Sequence, residues 1–340
     1  MTQRTLTQFG YKTGQTETNM CDFVLDCNTM EAKFINLQPS KHHKLHATIK
    51  SKNEGFSWRV WSFGDRGVLY APKTTDYPYK WEAPVVKSNL QKAVRRQDRE
   101  AAMSSCLQLA LIDKQELLRR LPIIAVEDVC LIKGTATIVW LMMAGKKYLS
   151  MKEIAFVMRY VDALCLTQNT FFNNKTIKIS KRNRIPHSSV SYNADLASLN
   201  VRATYGGMKG DMEMLQRAVR YYQTNEIIDP MSQVAEIVIP RVVSHKYTLM
   251  PEGIDFHPYP WIIGFIHNKT NVPKETIKSI IWNAESAPNN RKPWTIEKMN
   301  IAKSEETWPL IKQYLGYARD IVLKRHLEDA MPHPSVSGFC

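Results

Sequence analysis

The run Thr135-Ala-Thr-Ile-Val-Trp-Leu-Met-Met-Ala-Gly145 constrains this chain more than any other stretch. It is apolar all round through Ala144, the pattern of a helix buried on every side. A membrane-spanning helix needs about 20 such residues, roughly twice what the run offers, so it predicts a central core helix and no membrane span. A helix of that kind needs packing partners on all faces.

The flanking sequence supplies them. From Ser88 the apolar period is helical: Leu90, Ala93, Val94, Ala101 and Ala102 share a face, Lys92, Arg95, Arg96 and Arg99 cover much of the rest, and Ser88 is the expected N-cap. Further helices are expected over about 115–131, over 151–168 with Ile154, Val157, Met158, Val161 and Leu164 on one face, and over 211–222 with Met212, Leu215, Ala218, Val219 and Tyr222 on another. Short helices are expected around 274–283 and 304–328. Upstream, residues 21–84 alternate, most clearly in Phe56-Ser-Trp-Arg-Val60, and Asn53-Glu-Gly55 and Gly64-Asp-Arg-Gly67 supply turn chemistry. Pro72, Pro78 and Pro84 then mark an extended connector.

The expected fold class is therefore α+β, mainly helical. A flexible tail over 1–20 precedes a small β-rich region over 21–84; a helical domain over 88–222 and a mixed helical region over 223–340 follow. At 340 residues and 44% hydrophobic content the chain can bury a real core, and wholesale disorder is excluded. The N-terminus lacks an apolar signal region. The six cysteines, Cys21, Cys27, Cys106, Cys130, Cys165 and Cys340, show neither a CxxC pair nor zinc spacing, so reduced thiols in an intracellular protein are expected.

Charge narrows the function. Lys and Arg total 46 against 32 Asp and Glu, a net +14 that favours a polyanionic partner. Part of the excess is concentrated: the 32 residues over 163–194 contain no acid, and within them Phe171, Phe172, Lys175, Lys178, Lys181, Arg182 and Arg184 combine phosphate neutralisation with possible base stacking. Arg202, Lys209, Arg217 and Arg220 extend that surface. DNA is the expected ligand, with RNA open. No GxxxxGK[ST] loop is present, which argues against nucleotide hydrolysis. Gly206, Gly207 and Gly210 instead suggest a tight turn before a helix capped by Asp211. Ser/His/Asp and Cys/His catalysis find no supporting motif. A metal-dependent nuclease would draw on Glu252, Asp255 and His257, near His245 and His267. No cofactor is expected otherwise.

Two resemblances add a context. Leu90, Lys92, Ala93, Arg95, Arg119, Arg120, Leu121, Glu127 and Asp128 follow a Leu-x-Lys-Ala-x-Arg, Arg-Arg-Leu, Glu-Asp pattern. Over about 45 residues this resembles the C-terminal helical region of the replication-associated recombination protein A family, clamp-loader-like AAA+ ATPases. The resemblance implies a helical assembly element, with Arg119, Arg120, Glu127 and Asp128 ordering a polar network and a homo-oligomer as its product. Cys130 stands where that family has Gly, and the ATPase module is missing. Gln3, Leu6 and Phe9 resemble the sliding-clamp-binding peptide called the PCNA-interacting box, with Tyr11 standing in for the second aromatic. Together these imply a non-enzymatic accessory factor of DNA replication, recombination or repair, working in the nucleus or at a site of replication. The alternatives are the nuclease and a packaging protein that coats nucleic acid.

Overall fold

A computed structural model describes residues 19–35, 37, 40–50, 56–70, 83–145, 148–167, 193–239, 253, 261–286 and 307–330. The fold is α+β and mainly helical, with a small sheet at the N-terminal end, as the residue pattern predicts.

Four strands form the sheet: β1 (Asn19–Asp26), β2 (Glu31–Ile35), β3 (His43–Lys50) and β4 (Phe56–Phe63). Their order is β2-β1-β4-β3. The central pair β1/β4 is parallel, in register from Asn19↔Phe56 to Asp26↔Phe63, while β2 and β3 flank it antiparallel. Alternation assigns the faces. Phe23, Leu25, Trp58 and Val60 turn inward and are buried, and Phe34 of β2 stacks on Phe23 at 4.1 Å. On the other face Arg59 holds Asp22 through two bonds of 2.6 and 2.7 Å.

Ten α-helices follow among the described residues: α1 (Ala83–Arg96), α2 (Arg99–Ile112), α3 (Lys114–Asp128), α4 (Thr135–Met143), α5 (Met151–Leu166), α6 (Ala194–Tyr205), α7 (Lys209–Tyr222), α8 (Trp261–Thr270), α9 (Lys274–Ile281) and α10 (Thr307–Ala330). The centre is α4, every residue of which is buried. It packs between the inner face of the sheet and helices α3 and α6. Its few polar atoms fix it to the sheet: Trp140 Nε1 donates to the carbonyls of Phe23 and Trp61 at 3.2 and 2.9 Å, bridging β1 and β4. Thr137 Oγ1 donates to Met30 O at 2.7 Å and accepts from Ala32 N at 3.2 Å. Gly134 precedes α4 at φ 94, where a Cβ would stand 2.6 Å from Met231 Sδ, so both backbone angle and space require glycine.

Three local expectations are corrected. Helix α1 begins at Ala83, so Ser88 lies inside it, and Pro84 occupies its first turn, where a missing N–H costs nothing. The stretch 88–102 is two helices, because Gln97 adopts φ 62 and Asp98 restarts the chain as N-cap, accepting from Ala101 N at 3.0 Å. The N-cap position of α7 is Met208, not Asp211. Helix α6 was not expected at all.

Helices α8, α9 and α10 pack on one another through Ile262, Ile263, Ile266, Ile277, Ile311 and Leu315. They reach α1 where the Trp282 ring lies 5.5 Å from Lys92 Nζ. No helix among the described residues is long and apolar enough to cross a membrane.

Candidate nucleic-acid interface

Cations from three helices meet at the turn between α6 and α7. Gly206 (φ 110) and Gly207 (φ 152) form this turn in conformations that L side chains rarely adopt. The Gly206 carbonyl is shared by two cations: Arg202 Nη1 of α6 donates to it at 2.9 Å and Arg119 Nη2 of α3 at 3.4 Å. Arg202 Nε in turn donates to the Arg119 carbonyl at 3.0 Å. Arg202 is only 2% exposed. Burial and then the neighbouring Arg119 pull its pKa down to about 10.

Lys209 starts α7 and is exposed, and no side chain caps this helix. Uncapped N–H groups at a helix start favour negative charge. The expected cap, Asp211, is drawn aside to Arg120 Nη1 at 3.1 Å. A nearby acid, Glu116, is already held by Lys87. Half-buried Arg119 and Arg120 and exposed Lys209 thus stand at this corner over the buried Arg202, with Asp211 and Glu127 both paired to Arg120. The expectation that Arg202 adds to a cationic surface is corrected, and Lys209 at the uncapped helix start is the cation open to a phosphate-bearing ligand.

Behind this corner lies the polar network anticipated between the helices. Asp128 is 1% exposed on its side chain and pairs with Arg95 of α1, Nε to Oδ1 at 2.7 Å and Nη2 to Oδ2 at 3.3 Å. Gln91 donates to Glu127 and to Asp128, both at 2.9 Å, and its own carbonyl accepts from Arg120. Arg120 also stands 3.8 Å from Glu127, two turns along the same helix. Arg120, Glu127 and Asp128 are therefore linked to α1 and α7 of their own chain, while Arg119 turns to the glycine carbonyl. Lys92 lies beside this network, and burial followed by the Arg95 charge brings its pKa down to about 7.

Gln3, Leu6, Phe9 and Tyr11 lie outside the described residues, as do Phe171, Phe172, Lys175, Lys178, Lys181, Arg182 and Arg184, and Glu252, Asp255 and His257. His267 Nδ1 bonds the Val272 carbonyl at 2.8 Å, closing the end of α8. Among the described residues no group of three or more His, Cys, Asp and Glu side chains could hold a metal ion, and the five described cysteines are in no disulfide.

Sequence reasoning missed the parts played by Gln91, by the Gly206 carbonyl and by Asp211 as a partner of Arg120. No spacing rule joins residues 91 positions apart; the signal available was the Gly206-Gly207 pair beside Lys209. No protein-family model, curated protein or solved structure matches the chain.

Proposed function

We propose that the protein is a non-enzymatic accessory factor of DNA replication, recombination or repair that holds nucleic acid by its phosphates. The observation that supports this best is the corner where Arg119, Arg120, Lys209 and the buried Arg202 outnumber the two carboxylates, Asp211 and Glu127, paired to Arg120. The acid-free segment over 163–194 leads directly into α6, the helix that carries Arg202, so the two cationic elements are continuous along the chain. In this reading Lys175, Lys178, Lys181, Arg182 and Arg184 extend the phosphate contact, Phe171 and Phe172 stack on bases, and Gln3, Leu6, Phe9 and Tyr11 recruit the protein to a sliding clamp. The α1/α3 network stiffens the helical element that the family resemblance ties to self-assembly.

The test is binding to labelled single-stranded and duplex DNA across a salt series. Each phosphate contact contributes about 0.7 to the log–log slope on single strands and about 0.9 on duplex. Lys209→Glu is expected to lower the slope by about that amount, and combined reversal of Lys178, Lys181 and Arg182 by about three times as much. Unchanged slopes would move the contact elsewhere. Cleavage of the DNA with magnesium or manganese, removed by His257→Ala, would replace this reading with the nuclease.

A further inference from the structure

The sheet carries a second concentration of positive charge. Between Glu31 and Asp65 the only acid is Glu54, while Lys33, Lys41, Lys44, Lys50, Lys52 and Arg59 supply cations. This stretch runs from β2 through β3 and β4, so it includes the edge strand β3 and the interior strand beside it. Lys41, Lys44 and Lys50 are exposed, and none of them is in an ion pair among the described residues.

Register places a second feature next to that charge. Arg59, Trp61 and Phe63 of β4 point away from α4, with Thr48, Leu45 and His43 across from them on β3. The end of this outer face is open: Leu45 is 46% and Phe63 39% exposed. The Phe63 and His43 rings lie 5.5 Å apart with their planes tilted by 44°, and the Arg59 guanidinium lies 5.8 Å over the Trp61 ring, fixed there by its two bonds to Asp22. Two acids of this face are spoken for, since Asp22 is paired with Arg59 and Glu31 with Lys33 at 2.9 Å. Asp26, which accepts from Asn28 N at 2.8 Å, is left to oppose the three lysines.

We propose that the outer face of β3 and β4 is a second nucleic-acid surface, one that selects single strands: Phe63, with His43 beside it, stacks on unpaired bases, and Lys44 and Lys50 take phosphates along β3. A duplex keeps its base faces inside its own stack, so a ring standing on a sheet reaches them only in a single strand, while cations beside the ring neutralise the backbone. Lysines on an edge strand also guard it against pairing with another chain. That need accounts for the charge on β3 but not for an exposed ring on the interior strand. The surface presupposes the nucleic-acid reading and adds the form of strand that the sheet selects; it is separate from the corner formed by α3, α6 and α7.

The experiment measures binding of the full chain to a labelled oligothymidine strand and to a labelled duplex, each across a salt series, with the thermal midpoint followed alongside. Phe63→Ala should weaken the single strand by about tenfold and the duplex by less than about twofold. Phe63→Tyr keeps the ring and should restore the single strand. Joint Lys44→Glu and Lys50→Glu should lower the single-strand slope by about 1.4, at about 0.7 per phosphate. Equal losses on both strand forms, or none, overturn the surface. Lysines that serve only to guard the edge would leave the slope unchanged, which overturns it as well. Should Phe63→Ala lower the thermal midpoint, the two lysine reversals, at exposed positions, decide alone. An unaltered chain that binds neither strand removes the nucleic-acid reading itself; one that binds both and is indifferent to these substitutions removes the sheet surface only.

Discussion

Helix α4 and the α3/α6/α7 corner handle polar atoms in opposite ways. The side chains of α4 itself are neutral and satisfied: Trp140 spans two strand carbonyls, Thr137 serves Met30 and Ala32, and Thr135 Oγ1 reaches Ile132 O at 2.8 Å and Tyr160 Oη at 2.9 Å. At the corner they are charged and unbalanced, with two arginines sharing one backbone oxygen. The first arrangement fixes position, since a neutral bond buried in a core tolerates little displacement. The second leaves cationic capacity over. Substitutions at the centre should therefore be read in stability, and substitutions at the corner in ligand binding.

The sharpest attempt to break this contrast is Trp140→Ala. It removes a fully buried ring and orphans two strand carbonyls, so a loss of about 5 kcal/mol is expected in urea unfolding; a loss under about 1 kcal/mol would deny α4 its central place. Arg95→Ala should cost about 3–5 kcal/mol by leaving the Asp128 charge in the interior without its arginine. A small effect there would show the network to be surface-like.

Asp195 tests the neutrality of the centre. It is a charged group that reaches α4, accepting from Ala136 N at 2.8 Å, and burial pushes its pKa up to about 6 from 3.8. The folded chain thus binds this proton more tightly than the unfolded chain. The group's contribution is greatest below about pH 4, declines by about 2–3 kcal/mol as pH rises to about 6, and stays flat above. Asp195→Asn should flatten that part of the stability–pH curve; an unaltered curve would locate the titration elsewhere. The smallest stability effect belongs to Lys209→Glu, within about 0.5 kcal/mol because the side chain is exposed, while its DNA salt slope changes. A substantial drop in stability would mean that the corner is structural after all.

The sequence carried the centre of this fold plainly, since nine consecutive buried positions leave no polar face to misread. The corner was half visible. Seven-residue spacing puts Arg120 and Glu127 on one side of α3, and a Gly-Gly-x-Lys string marks the turn. Helix α6 escaped because it is buried on both polar and apolar sides: Ser198, Asn200 and Arg202 are as enclosed as Leu199 and Val201, so no amphipathic stripe exists to detect. The break at Gln97 escaped for a related reason, because the positive φ falls on a residue that carries no turn signal.

The bond from Trp140 to the Phe23 carbonyl joins positions 117 residues apart, which has a consequence for synthesis. All four strands leave the ribosome before the helix that covers their inner face has been made. At roughly 5–20 residues per second the sheet waits several seconds with Phe23, Leu25, Trp58 and Val60 uncovered. A chain halted before α4 should stay protease-sensitive and bind a holdase chaperone. One extended past α6 should become resistant, so the nascent protein acquires its first shape late and nearly all at once.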